Sequence, residues 1–187
     1  TSNAKEDVTV YDMAGNKTVV TVEVTNIDKT APEVEATYST KELTNGSVEV
    51  TLTANEDVWS VSGFTKVDNR TYKKTYTSNA KEDVTVYDMA GNKTVVTVEV
   101  TNIDKTAPEV EATYSTKELT NGSVEVTLTA NEDVWSVSGF TKVDNRTYKK
   151  TYTSNAKEDV TVYDIAGNKT VVTVEVTNID KTAPEVK

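Results

Sequence analysis

Apolar and polar residues alternate with period two along short stretches of this chain, and no stretch carries the stripe of a helix. Val34-Glu-Ala-Thr-Tyr38 and Val48-Glu-Val-Thr-Leu-Thr-Ala54 therefore read as strands with one buried face, since extended backbone points successive side chains to opposite sides. Between them lies Lys41-Glu-Leu-Thr-Asn-Gly46, whose Asn45-Gly46 pair is the signal of a turn at positive φ. Trp59-Ser-Val61 follows as a short strand. The indole of Trp59 is the largest apolar group available, so it is expected to anchor the core. Thr65-Lys-Val67 and Thr71-Tyr-Lys-Lys-Thr-Tyr76 turn about Asp68-Asn69, with Tyr72 and Tyr76 on one face. Val84-Thr-Val86 and Val96-Thr-Val-Glu-Val100, joined through Asp88-Met-Ala-Gly-Asn92, bring the count to seven strands. That spacing predicts an all-β fold, an antiparallel sandwich.

The same pattern then recurs with a period of 76 residues: residues 28–103 and 104–179 differ only in Met89 against Ile165. Lys187 stands where Glu35 and Glu111 stand in the earlier copies. Helical solenoid units run about 20–50 residues, so this longer period suits a small domain with its own core. The expected organisation is two whole repeats, 28–103 and 104–179. Residues 1–27 form the last two strands of a preceding repeat, and 180–187 the start of a following one. An isolated hairpin showing Val8, Val10, Val20, Val22 and Val24 to water is not expected to persist alone. Either the chain is a window on a longer array, or residues 1–27 exchange strands with another chain. Identical neighbours also invite swapped or co-misfolded species.

Two short motifs recur with each repeat. Asp88-Met-Ala-Gly-Asn92 between the last two strands, and Asp104-Lys-Thr-Ala-Pro108 at the join, resemble the hairpin and opening of bacterial immunoglobulin-like repeats, related in pattern to hyalin-type repeats. The resemblance implies tandem seven-stranded immunoglobulin-like sandwiches of a secreted or wall-attached bacterial surface protein, serving as stalks, spacers or adhesin segments. In physical terms, Gly91 supplies left-handed backbone in the turn, and Asp88 and Asn92 bond turn amides. Pro108 cannot donate to a ladder and pushes the residue before it into extended geometry, so Asp104–Pro108 is a short, stiffened connector that restricts rotation between repeats.

Composition narrows the function. With 20 basic and 30 acidic residues the net charge is −10, which repels nucleic-acid phosphates and anionic membrane surfaces. No apolar block is long enough for membrane insertion. His and Cys are both absent, removing the commonest general base, the thiol nucleophile, soft-metal sites and disulfides together. An enzyme is not expected. Carboxylate pairs such as Glu56-Asp57 resemble a glycosidase acid and base in type only, because adjacent loop residues point different ways.

Acidic loops are the remaining chemistry. Immunoglobulin topology brings Asn102, Asp104, Glu82 and Asp83 toward Glu132, Asp133 and Asp164 of the next repeat, and carboxylate with carbonyl oxygens suits calcium at the junction. The sequence carries no D-x-D-x-D-G loop, however, and acidic loop residues are ordinarily solvated. Lys74, beside Tyr72 and Tyr76, raises an isopeptide crosslink against the commoner reading of a Lys stem lying along aromatics. Tyr72, Tyr76 and Tyr87 raise a sugar-binding patch against ordinary strand tyrosines. The expected function is a structural spacer whose partners are adjacent repeats of the same chain. The alternative is a multivalent adhesin module that weakly binds a glycan or host surface protein.

Overall fold

A computed structural model describes residues 2–186; Thr1 and the variant Lys187 lie outside the described residues. The strands are β1 (Ala4–Tyr11), β2 (Lys17–Val24), β3 (Val34–Tyr38), β4 (Val48–Ala54), β5 (Val58–Val61), β6 (Thr65–Lys66), β7 (Thr71–Tyr76), β8 (Ala80–Asp88) and β9 (Lys93–Val100). They continue with β10 (Val110–Tyr114), β11 (Val124–Ala130), β12 (Val134–Val137), β13 (Thr141–Lys142), β14 (Thr147–Tyr152), β15 (Ala156–Asp164) and β16 (Lys169–Val176). No helix occurs among the described residues, so none is long and apolar enough to cross a membrane.

In the first sandwich a four-stranded sheet ordered β3-β4-β7-β6 faces a three-stranded sheet ordered β5-β8-β9. The second sandwich repeats this as β10-β11-β14-β13 and β12-β15-β16. The paired strands are antiparallel. Four strands against three is the arrangement of a constant-type immunoglobulin domain, as the alternation predicts. The hairpin β1–β2 stands as a two-stranded sheet of its own.

The core follows the period-two pattern. In the second sandwich Val124, Val126, Leu128 and Ala130 of β11 meet Tyr148 and Tyr152 of β14, Val160 and Val162 of β15, and Val174 and Val176 of β16. The intervening residues are polar or exposed. Each fully buried Val or Leu contributes about 1.5–3 kcal/mol, so a small set of aliphatic positions carries most of the hydrophobic stabilisation.

Three expectations about individual side chains are corrected. Trp59 is 70% exposed, and Trp135 is likewise on the surface. A bulge between Val58 and Ser60 shifts the pairing with β8, so Val58 and Val61 both turn inward and Trp59 is the extra residue, left outside. Gly46 does not adopt positive φ. There the Thr44 hydroxyl accepts a hydrogen bond from Gly46 N at 3.0 Å and closes the turn with ordinary backbone. Gly91, as expected, has φ 92°. Tyr72 and Tyr76 are buried, the Tyr72 hydroxyl donating to Val58 O at 3.2 Å, so with Tyr87 they do not form a surface sugar patch.

Candidate functional site

Three loops meet at one end of the second sandwich. Asp104 comes from the strap before β10, Glu132 from the loop between β11 and β12, and Asp164 from the end of β15. One carboxylate oxygen from each lies within 4.8 Å of the others. Asp28, Glu56 and Asp88 form the same group in the first sandwich.

Local hydrogen bonding places each member. Asp164 is buried, and its two carboxylate oxygens accept from Asn168 N at 2.7 Å and Asn168 Nδ2 at 2.8 Å. Both residues belong to the Asp-x-Ala-Gly-Asn turn, which folds back because Gly167 takes φ 93°. The Asn168 amide also donates to Asp104 O at 3.0 Å, tying the strap to the turn. Asp104 Oδ1 in turn accepts from Thr106 N at 2.9 Å. In the first sandwich Asp88 gains a further bond, from Ala90 N at 2.9 Å. Burial would raise the Asp88 pKa, but the bonds from Asn92, Gly91 and Ala90 outweigh it and hold the carboxyl below its ordinary range.

Glu132 goes the other way. Partial burial, then the negative charges of Asp104 and Asp164, raise its pKa, with Arg146 opposing. Glu56 is raised by burial and by Asp28 and Asp88 in the same manner. Three carboxylates this close repel, and such a group has the donor chemistry to hold a hard cation such as calcium. A raised folded-state pKa means the folded protein binds that proton more tightly than the unfolded chain does. Glu132 therefore favours folding below the unfolded value, about 4.3, and this support is lost as pH rises through the folded value. Glu132→Gln is expected to raise the second sandwich's Tm by a few degrees at pH 7 in chelator, and to leave it nearly unchanged at pH 4. Thermal melts at the two pH values check this.

The other sequence candidates are held elsewhere. Glu82 pairs with Lys74 Nζ at 2.5 Å. Asp83 accepts from the Thr97 hydroxyl at 2.6 Å. Asn102 donates to Glu42 O at 2.7 Å and Thr40 O at 3.3 Å. Asp133 accepts from Arg146 Nε at 3.0 Å and Asn145 Nδ2 at 3.1 Å, and the Arg146 bond followed by the Asn145 bond lowers its pKa. So Asp104, Glu132 and Asp164 converge, while Asp133 of the same sandwich is held by Arg146 and Asn145 instead. Sequence reasoning did not name Asp28, Glu56 and Asp88 as a site, although the 76-residue period places each at the equivalent of a named residue. Lys74, raised as a crosslink donor, has the Glu82 carboxylate beside its amine and the Phe64 ring 5.7 Å away.

Comparison with known families returns one description, a bacterial Ig-like domain, matched twice in tandem at residues 19–105 and 95–181. The chain belongs to the bacterial Ig-like domain family. No curated protein matches it. Bacterial Ig-like domains are generally structural modules, typically found in extracellular or surface proteins, and tandem copies point to a structural or surface-protein role.

Proposed function

We propose that this tandem pair is a spacer segment of a bacterial surface or secreted protein, holding another domain at a distance. The observation that carries the reading is the strap. Asp104 N donates to Thr44 O at 2.9 Å, Asp104 O accepts from Asn168 Nδ2, and Pro108 O accepts from the Thr170 hydroxyl at 2.6 Å. The strap is thus short, braced by a proline and hydrogen-bonded along its length, as suits a stiff linker. The first sandwich uses the same device at its own start, where Asn92 Nδ2 reaches Asp28 O at 3.3 Å and Thr94 Oγ1 reaches Pro32 O at 2.6 Å. Each repeat carries 8 basic and 12 acidic residues, so like charge discourages collapse.

Small-angle scattering of arrays of two, four and six repeats tests this, in chelator and in calcium, the ion suited to the Asp104, Glu132 and Asp164 group. The maximum dimension should grow linearly, by on the order of 35 Å per repeat given strands of this length. Growth as the square root of repeat number would sink the spacer reading.

One observation favours a second reading, that of an adhesin module. Each repeat presents an unburied tryptophan, Trp59 or Trp135, at a fixed place on the outside of its smaller sheet. A repeated aromatic can engage a glycan or host protein weakly and gain strength by multivalency. Immobilised glycan and matrix-protein panels should then show saturable binding that rises with array length and is lost in the double variant W59A/W135A.

A further inference from the structure

Asn121-Gly122 and its counterpart Asn45-Gly46 are the chain's only Asn-Gly pairs. In such a pair the glycine nitrogen can reach the side-chain amide before it, because no Cβ stands in the way. The Gly122 nitrogen gives its proton to solvent and bonds to Asn121 Cγ, the Cγ–Nδ2 bond breaks, and ammonia leaves. Water then opens the resulting succinimide at either carbonyl. One opening gives aspartate, the other iso-aspartate, whose main chain is longer by one carbon. Asn121 and Gly122 are both exposed, so burial does not shield them from this reaction.

We propose that Asn121 and Asn45 are sites of spontaneous deamidation, and that the threonine hydroxyl one residue earlier holds the reaction back. Thr120 Oγ1 accepts from Gly122 N at 3.0 Å, as Thr44 Oγ1 does from Gly46 N. This bond stabilises the protonated amide, and the nitrogen must leave it before it can turn toward Asn121 Cγ. Neither glycine takes positive φ, so the turn is the one that threonine closes and not the primed turn that Asn-Gly favours. The hydroxyl is itself well placed. Thr120 N donates to Asn178 O at 2.9 Å and Thr120 O accepts from Asp180 N at 2.8 Å, which fixes the threonine beside Ile179. An iso-aspartate at 121 would lengthen the chain directly after this bridge. Since each whole repeat carries the pair, every copy brings one such site.

The test uses the full chain with Thr120→Val, which keeps the shape and removes the acceptor, and Thr120→Ser, which keeps the acceptor. Trypsin releases residues 118–142 as one peptide, identical to residues 42–66 in the wild type, so each substitution also marks the second copy by mass. Folded samples are aged in mildly alkaline buffer, and deamidation of the marked peptide is followed by mass spectrometry with fragment sequencing. Asn121 should react about fivefold faster in Thr120→Val than in Thr120→Ser, the factor that a net hydrogen bond of about 1 kcal/mol gives. In denaturant the two rates should coincide. Amide exchange supplies the second readout: in Thr120→Val the Gly122 N–H should exchange faster, while the Thr120 and Asp180 N–H groups keep their wild-type protection. Equal rates in the two folded variants overturn the proposal, as does loss of protection at Thr120 and Asp180, because the loop would then have opened as a whole. Reaction at Asn131, in the same peptide, as fast as at Asn121 overturns the assignment of the site.

Discussion

Leu52→Ala is expected to lower the unfolding free energy of the first sandwich by about 3 kcal/mol, whereas Trp59→Ala should change it by less than about 0.5 kcal/mol. Leu52 is 1% exposed at the centre of β4, between Val50 and Ala54 on the inner face, so truncation removes transfer energy and leaves a cavity. Trp59 is the larger side chain, but the bulge in β5 has put it in water, and truncating it leaves the packing of Val58 and Val61 intact. A domain of this size is typically stable by about 4–11 kcal/mol, so the Leu52 change is a large fraction of the whole. Near-identical repeats make their transitions hard to separate. The one difference between them solves this: the Met89 methyl reports the first sandwich and the Ile165 methyl the second. In a denaturant series followed by methyl NMR, Leu52→Ala should shift the Met89 transition and leave Ile165 in place. A Trp59→Ala effect as large as that of Leu52→Ala would mean that the indole packs inside and the bulge is wrong.

The contrast between these two positions shows where the sequence is readable. Val48, Val50 and Leu52 announce their burial by alternation, and alternation depends only on the two-residue repeat of extended backbone. The four-plus-three sheets follow from seven such strands at their spacing. Trp59 defeats the rule because its inward or outward direction is set by one extra residue opposite β8, a pairing detail that no local pattern records. Gly46 fails for a related reason. Asn-Gly is a strong turn signal, but the Thr44 hydroxyl offers another way to close the loop, and only the fold decides which acceptor is within reach of Gly46 N.

The acidic group was half legible. The loops that end up together are those that immunoglobulin topology places at one end, which is why Asp104, Glu132 and Asp164 could be singled out. Asp133 could not be told from Glu132 beforehand. Its capture depends on Arg146, thirteen residues away just before strand β14, whose guanidinium takes the Asp133 carboxylate and leaves Glu132 facing the other acids. Glu82 and Asp83 likewise take partners within the first sandwich, Lys74 and Thr97. Topology brings loops to one end of a sandwich, and hydrogen-bond partners then decide which carboxylates there face one another.

Asp164→Ala is the second large effect, expected to destabilise the second sandwich by about 2–3 kcal/mol. The substitution removes both acceptors of Asn168, at 2.7 and 2.8 Å, in a place that water reaches poorly, so the Asn168 main-chain and side-chain N–H groups lose their charged partner. The damage should spread to the strap, because the Asn168 amide that holds Asp104 O is oriented by Asp164. One gain offsets part of the loss. With Asp164 gone, Glu132 has only Asp104 as a close like charge, and its ionisation costs less. A double-mutant cycle separates the two contributions. Glu132→Gln should stabilise the wild type more than it stabilises Asp164→Ala, and the difference measures the repulsion between the two acids. Equal gains in both backgrounds would show that Asp164 acts through Asn168 alone. A loss below about 0.5 kcal/mol for Asp164→Ala would remove the turn from the list of what holds the strap.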